Sequence, residues 1–310
     1  MKAPEKKRVV IAGGSGFIGR ALAADLKRRG YDVVVLTRMP RERADGIIEC
    51  EWSGEHIGEW IKYLNGAEAV VNLAGRNIDC QHTSENLREI VESRVNSVKA
   101  IAAAFTHIKN PPPVWVQASA VGFYGDTEDV MFDETFPVGR GTLPSICKQW
   151  EATFDAVETP KTRHVTLRIG FVLGRDGGAL PKLTQLTSRF LGGTVGSGRQ
   201  FISWIHHSDL TKMFATVIEQ EEWKGVFNAT APSPMTNREF MRELRHVLRR
   251  PWVPPAPTFL VKLAARRMKT ESSLALISQR VVPHRFLKNG FKFRFTELAP
   301  AMKDLFPQGK

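Results

Sequence analysis

The amino-acid sequence predicts an α/β protein built on a doubly wound parallel sheet, with a smaller C-terminal lobe. The first observation is an apolar, β-branched run from Val9 to Ile11 that breaks at glycines and continues into a helix-forming run, Ala21 to Lys27. The second is that strand and helix patterns alternate through roughly the first 175 residues, as the crossovers of a parallel sheet require. Beyond that point paired glycines and a proline-rich joint interrupt the pattern.

The glycine turn after the first strand is typical of a dinucleotide site. Gly13, Gly16 and Gly19 give the spacing G-x-x-G-x-x-G, close to the dinucleotide fingerprint but shifted at its first glycine. Glycines let the backbone turn sharply and approach a pyrophosphate, and the following helix offers free N–H groups and the positive end of its dipole. The pattern therefore predicts a Rossmann fold that binds a dinucleotide.

The end of the second predicted strand indicates which dinucleotide is preferred. The strand runs from Tyr31 to Leu36 and is followed by Thr37 and Arg38. An acidic residue there would accept a hydrogen bond from the ribose 2′-hydroxyl, whereas an arginine pairs with a 2′-phosphate. The sequence favours NADP over NAD, the alternative being that Arg38 is only a solvated surface residue.

The remaining elements are assigned from periodicity and from glycine and proline boundaries. Small residues at the end of the strand that closes at Gly75 leave room for the cofactor across the sheet. The predicted helices are Glu55 to Tyr63, Ser84 to Thr106, Ser145 to Val157, Asp209 to Gln220 and Asn237 to Leu248, and the predicted strands are Ala67 to Gly75, Val114 to Ala118, Val165 to Ile169 and Gly225 to Ala229.

Two domains are expected from this pattern. Residues 1–175 form the NADP-binding Rossmann domain, and residues 207–230 return to it. Residues 176–206 and 231–310 form the substrate-binding C-terminal lobe. In open α/β sheets the ligand crevice lies at the carboxyl ends of the strands, so this lobe is expected to cover the cofactor there.

Composition bounds the function classes. The formal net charge is +12, yet the basic residues are spread along the chain with no aromatic-interleaved motif, so a generally basic surface is favoured over nucleic-acid binding. The three cysteines are scattered, which is typical of a reducing compartment. No apolar run approaches the ~18 residues of a membrane span. A cytoplasmic protein, monomeric or homodimeric, is the expectation.

Several motifs taken together carry a family resemblance. They are the glycines at 13, 16 and 19, Leu36-Thr37-Arg38, Asn72-Leu73-Ala74-Gly75, Ser93-Arg94, Phe123-Tyr124-Gly125, Trp150-Glu151, Gly196-Ser197-Gly198, Trp204-Ile205-His206 with Asp209, and Asn228-Ala229-Thr230-Ala231-Pro232. The chain resembles the extended or atypical branch of the short-chain dehydrogenase/reductase superfamily. More narrowly, it is similar to the group of epimerase family proteins described as cell-division-inhibitor-like.

The resemblance implies a nucleotide-sugar-epimerase-like fold, NADP(H) binding and a C-terminal domain without an assigned role, and it implies no substrate. Carried over position by position, it implies that these residues bind the cofactor: Gly13, Gly14, Ser15, Gly16, Phe17, Ile18, Thr37, Arg38, Leu73, Ala74 and Val172, with Glu89 and Arg94 reaching it from the side. A surface ion pair is the alternative for Glu89 and Arg94.

The catalytic pattern of the superfamily is incomplete in this chain. Its chemistry uses a tyrosine four residues before a lysine on one helix, so that the ammonium group lowers the tyrosine pKa for proton transfer. Those positions fall at Leu143 and Cys147, while Lys148 is one step off, a rotation of roughly 100° on a helix. Ser119 lies near the expected serine, although Ala120 is the stricter equivalent. The remaining candidates for proton transfer are Ser119, Tyr124, Lys148 and His206.

Trp204, His206 and Asp209 admit two interpretations: they line a substrate pocket facing the nicotinamide with Tyr124, or Ser208 and Asp209 cap a helix near His206. No metal site is predicted, because His206 and His207 lack partners at ligand spacing. Three functions remain open at this point. The chain is an NADP-dependent oxidoreductase or epimerase on a small polar or sugar-like substrate, or an NADP-binding scaffold or redox sensor that has lost catalysis, or a basic nucleic-acid or envelope-associated binder.

Overall fold

The computed structural model describes residues 7–307, and the predicted fold class is confirmed. The outer ends of the two predicted domains, residues 1–6 and 308–310, lie outside the described residues. The strands are β1 (Arg8–Ala12), β2 (Asp32–Thr37), β3 (Ile48–Glu51), β4 (Ala69–Asn72), β5 (Val114–Ala120), β6 (Arg163–Ile169), β7 (Phe171–Leu173), β8 (Phe201–Ile202), β9 (Trp204–His206), β10 (Gly225–Ala229) and β11 (Met235–Thr236). The helices are α1 (Phe17–Arg28), α2 (Ile61–Leu64), α3 (Ser84–Phe105), α4 (Thr142–Asp155), α5 (Leu180–Ser188), α6 (His207–Glu219), α7 (Asn237–Val247), α8 (Thr258–Arg267), α9 (Ser273–Leu276), α10 (His284–Lys288) and α11 (Leu298–Leu305), and Val121–Tyr124 forms a 3-10 turn.

Seven strands form one sheet in the order β10-β6-β5-β4-β1-β2-β3, and every neighbouring pair is parallel. The chain winds from β1 outward to β2 and β3, then crosses to β4 on the other side of β1. The point where strand order reverses therefore lies between β1 and β4, which is where α/β sheets open a crevice at their carboxyl edge. The glycine turn follows β1 directly, so it lies at this point.

The main core explains why these strands read as continuous apolar runs. Every residue from Val9 to Ala12 in β1 and from Val33 to Leu36 in β2 is buried, so both faces of these strands are covered. Side chains from α1 and α3 belong to the same core. Parallel sheets covered on both faces select β-branched and aliphatic residues at every position. Burial of this kind fixes the turn at the end of β1 on a rigid support.

The region between β2 and β4 differs from the prediction. The expected helix from Glu55 to Tyr63 is wrong, because only Ile61–Leu64 is helical. The indole of Trp60 donates to the carbonyl of His56 within this segment. The Trp52 and Trp60 rings lie 5.5 Å apart and are buried, so aromatic packing anchors a loop there. Strand β3 was not predicted.

A second core lies beside the main one. It is formed by β7, β9, α7, α11 and their connections, with Trp204, Phe240 and Met302 fully buried at its centre. Two short pairings, β7 with β9 and β8 with β11, hold its loops together. Within residues 7–307 no helix is both long enough and apolar enough to cross a membrane.

Candidate functional site

The glycines of the first turn have different roles. Gly13 has a φ of +72°, and a Cβ on it would lie 2.9 Å from the Ala74 backbone. A Cβ on Gly19 would lie 2.5 Å from the Cα of Gly14. Both glycines therefore let backbone segments pack against each other. A Cβ on Gly16 would meet only the Gly13 carbonyl, at 3.4 Å, so the open side of the turn lies at Gly16.

Gly16 is also the residue before α1, and no side chain caps that helix. The N–H groups of a first helical turn have no partners within the helix, and they attract a phosphate. Ser15 accepts a 3.0 Å hydrogen bond from the Thr37 hydroxyl, which ties the turn to the end of β2. The turn from Gly13 to Ile18 is thus held on two sides and open on the third.

A loop from the second core covers part of this turn. The Phe17 ring packs against Gly174 and Gly177, and a Cβ on Gly177 would lie 2.6 Å from the Phe17 Cβ. Arg20 donates to the carbonyls of Ser15 and Asp176, at 2.8 Å and 3.1 Å. The Phe17 side chain is therefore a packing residue, and any contact of Phe17 with a phosphate comes from its backbone.

The arginines after β2 differ in whether a carboxylate pairs with them. Arg43 is paired with Asp45 and Glu49, and the guanidinium holds the pKa of Asp45 at about 2. Arg38 and Arg41 are exposed, and their side chains have no hydrogen-bond or ion-pair partner among residues 7–307. Arg38 directly follows β2 and no carboxylate pairs with it. It therefore meets the requirement for a residue that receives a 2′-phosphate.

The end of β4 is shaped by a buried asparagine. Asn72 donates to Ser97 at 3.1 Å and to Gln117 at 3.0 Å, and its amide oxygen accepts from the Ala74 N–H at 3.1 Å. These bonds fix the turn through Leu73, Ala74 and Gly75. Leu73 and Ala74 are half-buried and Gly75 is exposed, so the small residues leave open space at the sheet edge.

Arg94 and Glu89 lie on α3 but differ in setting. Arg94 donates to the carbonyls of Arg76 and Ile90, lies 4.9 Å from the centre of the Trp150 ring, and borders Gly75. Burial lowers the pKa of its guanidinium, and no carboxylate pairs with it among the described residues. Glu89 is instead exposed and ion-paired with Arg76, which matches the surface-pair alternative. Val172, in β7, is half-buried.

Ser119 points away from the sheet edge into a buried ion pair. Its hydroxyl donates to Glu151 at 2.5 Å, and Arg168 holds the same carboxylate through bonds of 2.9 Å and 2.7 Å. Successive side chains of a strand point to opposite faces, so Ala120 takes the position facing the other way. The end of β5 therefore offers a methyl group where the superfamily has its serine hydroxyl.

Tyr124 belongs to the same buried set. Its hydroxyl donates to Asn228 at 2.8 Å and accepts from Arg168 at 2.9 Å. Burial raises the pKa of the phenol to about 12 despite the adjacent guanidinium. The phenol therefore stays protonated, and its hydroxyl makes both of its hydrogen bonds within the protein.

Helix α4 carries Leu143 and Cys147 at the positions predicted for the tyrosine and lysine of the superfamily, and Lys148 is one residue past the lysine position. Leu143 borders Gly122, and the Cys147 thiol is buried at 3.8 Å from the Ala120 carbonyl. Burial, together with Glu151, raises the pKa of that thiol to about 12, so it stays protonated. Lys148 is exposed on the outer face of the helix. The wall formed by Ala120, Leu143 and Cys147 therefore has no ionised group.

Trp204 and His206, which were expected to face the nicotinamide with Tyr124, both make contacts within the protein. Trp204 lies in the second core and its indole donates to the Ser233 carbonyl at 2.9 Å. His206 is itself the N-cap of α6: its Nδ1 accepts from the Ser208 N–H at 3.2 Å. Burial, with His207 and Arg294, lowers the pKa of His206 to about 3.

Asp209 has a structural role as well. Its carboxylate accepts from the backbone N–H groups of Arg294 and Phe295, at 2.7 Å and 2.9 Å. The cap alternative for this segment is therefore the correct one, although the capping side chain is His206 and not Ser208. Within residues 7–307 no group of three or more His, Cys, Asp or Glu side chains is arranged to hold a metal ion.

Sequence reasoning assigned no role to Arg168, and it named Glu151 and Asn228 only as members of the motifs that carry the family resemblance. A usable signal existed: Arg168 interrupts the apolar run of β6, and a charged residue is rarely buried unless a partner neutralises it. What could not be read was the identity of that partner. Glu151 lies on a different element and Asn228 on a strand that returns late in the chain.

Taken together, a strand, an open glycine turn and a helix at the reversal point of a parallel sheet define a dinucleotide-binding protein of the Rossmann class. A family model described as "NAD dependent epimerase/dehydratase family" matches residues 9–229, and a model for the domain of unknown function DUF1731 matches residues 256–305. The chain belongs to the NAD dependent epimerase/dehydratase family and, within it, to the epimerase family proteins.

Two relatives and two solved structures illustrate the similarity. The chain is 34% identical to human epimerase family protein SDR39U1 over 304 residues, covering 96% of this chain and 99% of the human protein. It is 36% identical to the chloroplastic SDR39U1 homolog of Arabidopsis thaliana over 306 residues, covering 95% and 85%. The crystal structure of human SDR39U1 (isoform 2) with NADPH matches with a TM-score of 0.87 at 32% identity, covering 97% and 99%. Thermus thermophilus UDP-glucose 4-epimerase in complex with NAD, at 19% identity and a TM-score of 0.72, shares the fold.

Proposed function

We propose that this chain binds NADP(H) along the carboxyl edge of β1, β2 and β4. The observation that carries the proposal is the exposed, unpaired Arg38 directly after β2, next to the open turn at Gly16. The similar human protein, whose structure contains NADPH, supports the same cofactor. The pyrophosphate would lie on the first turn of α1 and the 2′-phosphate at Arg38, while Arg94 and Gly75 would border the nicotinamide half.

The cofactor is proposed to be bound without the proton relay of the superfamily. Proton transfer needs an acid or base that touches the substrate. The hydroxyl of Ser119 donates to Glu151 and that of Tyr124 donates to Asn228, so both are hydrogen-bonded within the protein. His206 caps α6, and Lys148 is exposed to solvent. We therefore favour an NADP(H)-binding scaffold or redox sensor over an enzyme acting on carbonyls.

A second candidate is an oxidoreductase or epimerase that acts on a small polar or sugar-like substrate. One observation favours it: Arg94 is a cation without a carboxylate partner, next to the open turn at Gly75. A guanidinium in that setting would bind an anionic or polar group. Such an enzyme would need its substrate or water to supply the proton.

Calorimetric titration with NADPH and NADH tests the cofactor assignment. NADPH is expected to bind more tightly, and Arg38→Ala should weaken NADPH binding about ten- to a hundredfold, the cost of ~1.5–3 kcal/mol for a lost charge-assisted contact. Arg199→Ala, an exposed arginine on the β8 side of the molecule, is the control. Equal affinities for the two nucleotides, or an unchanged Arg38→Ala variant, would contradict the proposal.

A turnover assay separates the two candidate functions. NADPH oxidation is followed against a panel of carbonyl compounds and nucleotide sugars, with Tyr124→Phe and Lys148→Ala measured beside the parent protein. The scaffold or sensor predicts nucleotide binding with no turnover. Robust turnover that is lost with Arg94→Ala would instead establish the enzyme and identify the residue that holds its substrate.

A further inference from the structure

A continuous surface beside the second core is both apolar and free of acidic residues. Residues 177–208 and 244–270 contain no aspartate or glutamate. The second of these segments carries basic residues at Arg245, Arg249, Arg250, Lys262, Arg266, Arg267 and Lys269. The same two segments contain much of the exposed apolar surface of the protein, including Trp252 at 73% exposure, Phe259 at 68%, Leu263 at 62%, and also Phe190, Leu191, Leu260 and Met268.

The two segments lie side by side. The Ala256 N–H donates to the Thr194 carbonyl at 2.8 Å, and the Gly196 N–H donates to the Ala256 carbonyl at 2.9 Å. The Arg250 guanidinium lies 5.1 Å from the centre of the Phe190 ring. Helix α8 begins directly after this pairing, at Thr258. Phe190, Leu191, Trp252, Phe259, Leu260 and Leu263, with the basic residues around them, are called here the basic-apolar face.

Helix α8 is oriented opposite to an ordinary surface helix, which turns its apolar stripe toward the core. Ala265 is its only buried residue, and Val261, one turn earlier, is half-buried. At 100° per residue, Phe259 and Leu263 project from the side opposite these two. Lys262 and Arg266 flank the exposed stripe on one side, and Arg267 flanks it on the other. An exposed apolar stripe between cations is the pattern of a helix that lies in a lipid interface.

The nearest acidic side chains do not cancel this charge. Asp79 pairs with Lys182 and accepts from the Thr270 hydroxyl. Glu271, just after the acid-free segment, accepts from the backbone of Ser273. Asp79 is thus neutralised by Lys182, whereas Glu271 keeps its charge because a backbone N–H carries none. The seven Arg and Lys residues of the second segment outnumber that one carboxylate, so the face keeps an excess of positive charge.

We propose that the basic-apolar face docks on the surface of a bilayer containing anionic phospholipid. Such a surface offers negative headgroups for Lys262, Arg266 and Arg267 and an apolar interior for Phe259, Leu263 and Trp252. A second copy of the chain would bring the same positive charge to the contact. Nucleic acid would satisfy the cations and stack on Trp252 or Phe259, but it would leave Leu191, Leu260 and Leu263 without an apolar partner, whereas a bilayer covers all of these side chains. The docking is peripheral and requires no spanning helix.

Vesicle flotation of the full chain tests the proposal. Vesicles of phosphatidylglycerol mixed with phosphatidylcholine are compared with vesicles of phosphatidylcholine alone. The protein is expected to float with the anionic vesicles only, and to be released by high salt. Phe259→Ser with Leu263→Ser should weaken binding at least about tenfold, as should Arg266→Glu with Arg267→Glu. Leu287→Ser on α10 and Lys99→Glu on α3 are the matched controls, each exposed and remote in sequence from the face.

Tryptophan fluorescence supplies a second readout. All seven tryptophans lie in residues 7–307, and Trp252 is the exposed one, whereas the other six are buried. Quenching by brominated lipid in anionic vesicles should therefore arise at Trp252 and disappear in Trp252→Phe. Thermal melting of each variant checks that it remains folded.

Four results would overturn the proposal. One is the absence of flotation with anionic vesicles. Another is binding that the serine and glutamate variants retain in full, which would place the contact elsewhere. The third is a face that is covered by a second copy, seen as a dimer by light scattering that dissociates in Phe259→Ser with Leu263→Ser. Tighter binding to single-stranded RNA than to the vesicles would likewise assign the face to another partner.

Discussion

The two ends of the sheet's carboxyl edge are built differently. At β1 and β2 the groups that a nucleotide needs are free: the turn is open at Gly16 and Arg38 has no partner among the described residues. At β5 and α4 the polar groups are committed: Ser119, Glu151, Arg168, Tyr124 and Asn228 satisfy one another below the surface. Free groups bind ligands and committed groups hold the fold. The difference separates the proposed cofactor site from a buried polar cluster that supports the fold.

The committed end should be the more sensitive to loss of a partner. Glu151→Ala leaves the buried Arg168 without its carboxylate, and removing one member of a buried pair costs about 3–5 kcal/mol. Urea unfolding should show this loss, and the double variant Glu151→Leu with Arg168→Met should recover most of it, since well-packed apolar replacements are tolerated. A single variant as stable as the parent would mean that the ion pair does not support this half of the molecule.

The free end should respond in binding and not in folding. Gly16→Val places its side chain on the open side of the turn and should weaken NADPH binding by about a hundredfold or more, because the pyrophosphate must approach the backbone there. The backbone at Gly16 is extended, so the fold should keep its melting temperature. Gly13→Val is the contrast: it forces a side chain against the Ala74 backbone at a positive φ and should lower stability as well. Equal behaviour of the two variants would contradict the separation of their roles.

How much of this contrast the sequence predicted depends on how local each feature is. The glycine turn, α3 and Arg38 were readable because each depends on a run of neighbouring residues. The vacant catalytic positions at Leu143 and Cys147 were readable too, because they are fixed by spacing on one helix. The site residues that were missed depend on partners far along the chain, as Arg168 does on Glu151 and Tyr124 on Asn228.

Two errors have the same origin. The loop before α2 reads as a helix by periodicity, but the packing of Trp52 against Trp60 and the hydrogen bond from the Trp60 indole to the His56 carbonyl accompany a loop instead. The sequence left this segment between a substrate pocket and a cap formed by Ser208 and Asp209. In the structure the capping side chain is His206, and its ring lies 4.4 Å from the Phe295 ring, measured between ring centres. Tertiary context, not local preference, determined both outcomes.

A smaller effect distinguishes packing from chemistry at Tyr124. Tyr124→Phe removes a hydroxyl that donates to Asn228 and accepts from Arg168, so stability should fall by about 1–2 kcal/mol while NADPH affinity is unchanged. Tyr63→Phe, for which no hydroxyl hydrogen bond occurs within the described residues, is the control. If Tyr124→Phe abolished a measurable turnover without loss of stability, the phenol would be an acid or base after all.

The smallest expected effect concerns pH and the second core. His206 has a pKa of about 3 in the folded protein against 6.5 when unfolded, because burial, with His207 and Arg294, disfavours its charged form. The unfolded chain therefore binds the additional proton as the pH falls below 6.5, and folding loses stability, by about 1 kcal/mol between about pH 6.5 and pH 5.5. His206→Asn keeps an acceptor for the Ser208 N–H and removes this titration. The difference in unfolding free energy between parent and variant should thus shrink as the pH falls through that range. A difference independent of pH would contradict the prediction, because it would mean that the pKa of His206 is the same in the folded and the unfolded protein.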